Sequence, residues 1–404
     1  MLIRTLAIVI FSCSLCADVF LGVDVFFETA ALQFKDKKVG LILNQTSVDT
    51  KMRSTLSRFQ DAGISVAALF SPEHGLKGHQ YAAENVSDGK EARIPVYSLH
   101  GDKRRPTKEM FDGLDALVYD IQCTGVRAYT YQTTLYYAME EAAKRGLEVI
   151  VLDRPNPING LVVDGPMLQD KWRSFIGYIN VPYCSGMTIG ELARFFNAEY
   201  KVGCKLTVIP MKGWKRKMSY RDTGLAWIPP SPNVPEPDTP LFCPITGILG
   251  ELNLVNIGIG YTLPFKIVGA PWIDANEFAA ALNAQKLPGV RFQPFHFRPF
   301  YGNFKGLDCK GVLIQITDET IFRPLSTQYM IIGLLKSLYP GEFNKRMEQA
   351  IGSRKDLFCK ANGTDAIYEI IRQEKFPAWK LIDFQKTERE AFLEKRKLYL
   401  LGYE

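Results

Sequence analysis

The sequence predicts an α/β protein, with a parallel sheet in its N-terminal part and a smaller mixed α and β region after it. Three observations carry this expectation. From Lys38 onward, short apolar runs alternate with amphipathic stretches about every thirty residues, as strand-helix-strand units do. The segments directly after the apolar runs are polar and motif-like, as loops at the carboxyl edge of an open parallel sheet are. A proline-dense stretch from Ile228 to Pro240 then interrupts the pattern, and beyond it the spacing loosens.

Taken in order, residues 1–17 read as an export signal: one cation at Arg4, an apolar run from Leu6 to Phe11, then small residues. The run falls short of the roughly 20 residues that span a bilayer, and no later stretch qualifies. The remaining chain is expected to be soluble and exported, periplasmic or extracellular, with lipid anchoring at Cys13 as the lesser alternative. Strands are expected at 38–43, 64–70, 114–120 and 147–152, with a weaker fifth at 95–99. Helices fit at 50–62 and 133–145, closed by Gly63 and Gly146. A third spans 188–200, where Thr188 and Glu191 form a capping box.

These elements place the first domain at 18–227. The Pro-rich segment, unsuited to helix or central strand, is read as a rigid ordered connection that opens a second domain, 228–404. Strands are expected there at 261–268 and 311–317, with helices at 274–285 and 325–338. A charged helix at 387–398 reads as a solvated face.

Composition and missing motifs narrow the function. The 404 residues are 47% hydrophobic and 23% charged, an ordinary globular balance, and the net charge of +6 is too small and dispersed for a nucleic-acid partner. No G-x-G-x-x-G or G-x-x-x-x-G-K-[ST] appears, which argues against a nucleotide cofactor, and no G-x-S-x-G supports an esterase elbow. The four histidines lack ligand spacing, so no metal is expected. Six cysteines follow the leader without a C-x-x-C pair, compatible with buried thiols or with disulfides that cannot be paired from sequence.

Chemistry collects instead on the predicted sheet edge. Asn44-Gln-Thr46, Ser71-Pro-Glu-His-Gly-Leu-Lys-Gly78, the segment 120–131 and Asp153-Arg-Pro-Asn-Pro-Ile-Asn-Gly160 each follow a strand. Glu73, in a tight Gly-bounded loop, is the best acid-base candidate, because an apolar wall can keep a carboxyl protonated near neutral pH. Arg127 and Arg154 suit a carboxylate-bearing ligand, or else pair structurally with Asp120 or Asp153. Tyr129 and Tyr131 offer stacking against a sugar ring or core packing.

These loops also carry a family resemblance. The segments at 71–78, 120–122 with 125–131, 152–157, 165–168, 186–193, 228–234 and 269–273 resemble, in the same order, the exo-β-N-acetylmuramidases of bacterial cell-wall turnover, formerly a domain of unknown function. The resemblance implies a Rossmann-like N-terminal domain, a smaller mixed α/β C-terminal domain, and hydrolysis releasing N-acetylmuramic acid from non-reducing ends of peptidoglycan fragments or muropeptides. It places Glu73 as the catalytic carboxylate with His74 beside it, and the working mechanism has Glu73 act as general acid and then base. Asp120 or Asp153 would be its partner, unless the substrate's acetamido oxygen takes the nucleophile's role. Arg127, Asp153, Arg154, Asn156 and Glu251 are implied cleft residues, and the reading of the sheet edge adds Asn44, Gln122, Tyr129 and Tyr131 as substrate-binding candidates. The lactyl carboxylate of muramic acid would give the arginines a purpose.

The chain departs from its relatives at Cys123-Thr124, Cys184-Ser185, Glu251-Leu-Asn-Leu254 and Gly258-Ile-Gly-Tyr261, where they carry more polar residues. Such losses leave a second reading open, a relative that binds glycan without cleaving it. A third, a deacetylase or amidase, would rest on Cys123.

Overall fold

The computed structural model describes residues 19–82 and 84–404, so the expected leader lies outside the described residues. The N-terminal domain is built on strands β1 (Lys38–Leu43), β2 (Ser65–Ser71), β3 (Gly89–Glu91), β4 (Ile94–Ser98), β5 (Ala116–Asp120), β6 (Glu148–Leu152) and β7 (Lys205–Ile209), in the order β3-β4-β2-β1-β5-β6-β7. All neighbours run parallel except the β3–β4 hairpin at one edge. β1 and β5 form the centre and are apolar on both faces, because helices cover both sides of the sheet. Helices α1 (Gly22–Thr29) and α2 (Thr55–Asp61) pack on one face; α3 (Thr130–Ala143) and α4 (Ile189–Glu199) pack on the other. Successive strands lead away from β1 on one side and from β5 on the other. Their carboxyl ends therefore part at the β1–β5 boundary, the place where such sheets hold ligands.

The second domain pairs three antiparallel strands, β8 (Ile267–Ala270), β9 (Val290–Phe297) and β10 (Cys309–Ile316), in the order β8-β10-β9. Around them lie α5 (Thr239–Glu251), α6 (Ala275–Ala284), α7 (Pro324–Leu338), α8 (Pro340–Gln349), α9 (Ser353–Asn362), α10 (Ala366–Gln373) and α11 (Ala378–Asp383). A final helix, α12 (Lys386–Arg396), returns to the first domain.

Most expected elements are present, and the differences have local causes. The capping box of α4 forms as read, with Thr188 and Glu191 bonding each other's backbone N–H. α2 starts at Thr55 rather than Thr50, because Asp49 Oδ1 accepts the N–H groups of Lys51 and Arg53, both at 2.9 Å, and closes a turn. The strand expected from Tyr261 is confined to Ile267–Ala270. Gly258 and Gly260, both at φ +86°, turn the preceding segment, and a side chain at either would strike backbone 2.0 Å away. α5 begins inside the Pro-rich segment, with Pro240 in its first turn, where no intrahelical donor is needed. α12 is not simply a solvated face: Phe392 packs on Phe195, and buried Arg396 donates to the carbonyls of Gly160, Ser185 and Gly186.

The chain end is anchored in the same way. Tyr403 Oη donates to Asp153 Oδ2 at 2.6 Å and accepts the Met211 N–H at 3.0 Å, while its ring meets Trp214 edge to face. Tyr403→Phe leaves both buried partners without their bond and is expected to cost about 1–3 kcal/mol of stability, measured by chemical denaturation.

Candidate active site

A cleft of about 290 Å³ lies between the carboxyl edge of the large sheet and the second domain. Glu73 and His74 line it from the loop after β2, Thr124, Val126 and Ala128 to Thr130 from the segment leading into α3, Ser231 to Val234 from the Pro-rich connection, and Glu251 from the end of α5.

The Glu73 loop is held from several sides. Its turn closes through the Gly75 N–H on the Pro72 carbonyl. His74 adopts φ +69° and sets its Nδ1 2.7 Å from the Gln80 carbonyl. Gly78 is at φ +70°, and a side chain there would overlap Gln45 at 2.0 Å. Glu73 itself is 12% exposed; Thr130 Oγ1 donates to its Oε2 at 2.7 Å, and His100 Nε2 stands 3.7 Å from its Oε1. Burial holds the His100 imidazole below its ordinary range, against the pull of Glu73.

Tyr129 lines the cleft with its ring edge-to-face on Tyr131, 4.8 Å between centroids. Tyr131 is fully buried behind it and donates to the Pro230 carbonyl at 2.6 Å, while Gln45 Nε2 donates to the Pro229 carbonyl at 2.7 Å. These two bonds fix the Pro-rich segment as a wall of the cleft. In the same cleft, half-buried Glu251 has its carboxyl pushed up by burial, countered by Arg354.

The other sequence candidates are occupied elsewhere. Asp120 is fully buried and does not line the cleft; it accepts from Arg154 Nε at 2.5 Å, Arg154 Nη2 at 2.9 Å and Thr55 Oγ1 at 2.5 Å. Asp153 accepts from Thr188 Oγ1 and the Gly190 N–H, both at 2.8 Å, besides Tyr403. Neither is placed to be a second carboxylate beside Glu73. Arg127 is buried and spends its guanidinium on the carbonyls of Pro166, Val181, Ala361 and Asn362, at 2.6–3.2 Å. Gln122 donates to the Cys123 and Pro155 carbonyls, Asn156 to that of Met187, and Asn44 Oδ1 accepts from Thr46. All three brace loops. Thr130 and His100 are the neighbours of Glu73 that sequence reading passed over. The signal for His100 was its place just after the weak fifth strand, on the same edge.

Most of the positions read from the sequence as departures from the family also fall outside the cleft. Cys184, Leu252 and Leu254 are core residues and Ile259 packs against that core, whereas Thr124 is in the lining. Cys123 is buried away from the cleft with its thiol pushed up to about 12 by burial, which does not suit a nucleophile. The six cysteines among the described residues are all free. Among the described residues no three His, Cys, Asp or Glu side chains converge to hold a metal, and no helix is long and apolar enough to cross a membrane.

A Rossmann-like sheet with a carboxylate-bearing loop at its carboxyl edge, lining one cleft with a carboxylate from a second domain, is an arrangement that a glycoside hydrolase can use, and the family comparisons place the chain in that class. The chain belongs to the exo-beta-N-acetylmuramidase NamZ family: the N-terminal family model matches residues 39–238 and the C-terminal model residues 241–402. It is 40% identical over 325 residues to the peptidoglycan beta-N-acetylmuramidase NamZ of Bacillus subtilis (strain 168), covering 80% of this chain and 78% of that one. Two crystal structures of DUF1343 family proteins from Bacteroides fragilis NCTC 9343 share the architecture. One has a TM-score of 0.89 at 39% identity, covering 95% of this chain and 98% of the other. The second has a TM-score of 0.72 at 27% identity, covering 95% and 99%.

Burial pushes the Asp153 carboxyl up to about 7. A carboxyl raised by folding contributes stability when protonated; that contribution is complete below the ordinary range near pH ~4 and is lost as the pH rises through about 7. Asp153→Asn is therefore expected to flatten the fall in unfolding free energy between those limits by on the order of 4 kcal/mol, read from urea denaturation across pH.

Proposed function

We propose that the protein is an exo-β-N-acetylmuramidase that releases N-acetylmuramic acid from non-reducing ends of peptidoglycan fragments. The observation that carries this reading is the cleft itself, in which Glu73, braced by Thr130, and Glu251 are the two lining carboxyls. Its volume is at the small end of ligand sites, which suits one terminal sugar rather than a strand threaded through. Val126, Ile176, Phe265 and Leu357 make an apolar wall for the acetamido and lactyl methyl groups; Thr124, Ser231 and Asn233 offer partners for hydroxyls. The enzyme acts outside the cytoplasmic membrane, where its polymer lies, as the leader-like residues 1–17 support.

Arg127 and Arg154 are committed to the scaffold, so the lactyl carboxylate falls to another cation. Arg354 is the candidate. It sits on α9 three and seven residues before the cleft residues Leu357 and Ala361, hence on the same helix face, and its charge acts on Glu251.

Wild-type protein is expected to release chromophore from an aryl β-N-acetylmuramide and not from the matching β-N-acetylglucosaminide, with Glu73→Gln slower by about 10³-fold or more. Saturable muropeptide binding without any release would instead mark a glycan-binding protein. Arg354→Met is expected to raise KM for the muramide about tenfold while leaving kcat nearly unchanged, the signature of a lost binding contact.

A further inference from the structure

The two cleft carboxyls lie at opposite ends of helices. Glu73 takes its hydrogen bond from Thr130, the first residue of the 14-residue α3, where unpaired N–H groups and the positive end of the helix dipole favour negative charge. Glu251 is the last residue of the 13-residue α5, where the carbonyl end disfavours it. Facing Glu251 are Arg354 from α9 and Tyr183 from the segment before α4; those facing Glu73 include His100 after β4 and Tyr131 of α3. Environments that pull two carboxyls apart divide acid from base.

We propose that Glu251 is the proton donor of the reaction and that Glu73 works as the ionised carboxylate, the reverse of the role its sequence motif suggests for Glu73. The assignment rests on the glycosidase reading of the cleft. Glu251 passes its proton to the glycosidic oxygen as the bond from that oxygen to C1 breaks. A water oxygen bonds to C1, and the proton it sheds goes to Glu73. Exchange with solvent then restores both groups. Burial, which raises the Glu251 carboxyl, works in the same direction.

Two measurements test this. Glu251→Gln is expected to lose at least about 100-fold on a muropeptide disaccharide, whose leaving group needs a proton, but less than about tenfold on 2,4-dinitrophenyl β-N-acetylmuramide, whose leaving group does not; Glu73→Gln loses both activities. Sparing of the activated substrate by Glu73→Gln instead overturns the assignment. Carbon-13 titration of side-chain carboxyls in the intact protein reads the same point without any substrate. The resonance absent from Glu251→Gln should titrate at least about one pH unit above the one absent from Glu73→Gln. Coincident or inverted midpoints overturn the assignment, whichever glycoside the enzyme cleaves. If the glutamine variant does not fold, Glu251→Asp serves in both measurements, because it shortens the donor and removes the same resonance.

Discussion

The cleft depends on one buried cation. Arg127 lies where the two domains meet, and its guanidinium is held by two carbonyls of the first domain and two from the end of α9. Burial pushes it down to about 10, so it stays charged near neutral pH, and four charge-assisted hydrogen bonds offset its desolvation. The same bonds satisfy carbonyls that the end of α9 leaves open. α9 in turn presents Leu357 and Ala361 to the cleft, so the side chain that closes this helix also sets the position of the far wall.

The carboxyl edge of the large sheet divides its polar residues between scaffold and chemistry. Near the centre, Asp120 and Arg154 neutralise each other with Thr55 attached, and Asp153 gathers Thr188, Gly190 and the chain end. These groups are out of water and fully engaged, which makes the rim rigid. The β2 loop stands further out and projects Glu73 against the start of α3, where it reaches the cleft. A rigid inner ring thus supports the few side chains that reach the cleft, the arrangement that holds the groups of a site in register.

The second domain contributes a wall and a field. Pro229 and Pro230 are tied down by Gln45 and Tyr131, so the connection between domains becomes part of the binding surface. α5 follows directly and ends at Glu251, so the carbonyl end of this helix points its unfavourable field at a carboxyl that burial already keeps from ionising readily.

Much of this was legible in the chain. The alternation of apolar runs defined the central strands, the Thr188–Glu191 pair defined the start of α4, and the position of Glu73 after a strand marked it as a cleft residue; each depends on neighbours within a few residues. Family membership was legible too, because ordered motifs are local. What the sequence could not separate was Asp120, Asp153, Arg127 and Arg154 from the residues that face the cleft. All are polar residues after strands, and only the tertiary structure decides which are turned inward to pair with groups 34 to 250 positions away. The presence of Glu73 and Glu251 in one cleft is of that kind as well. One carboxyl comes from a loop of the first domain and the other from a helix end of the second, and the packing of the domains, which no local pattern encodes, brings them to one cleft.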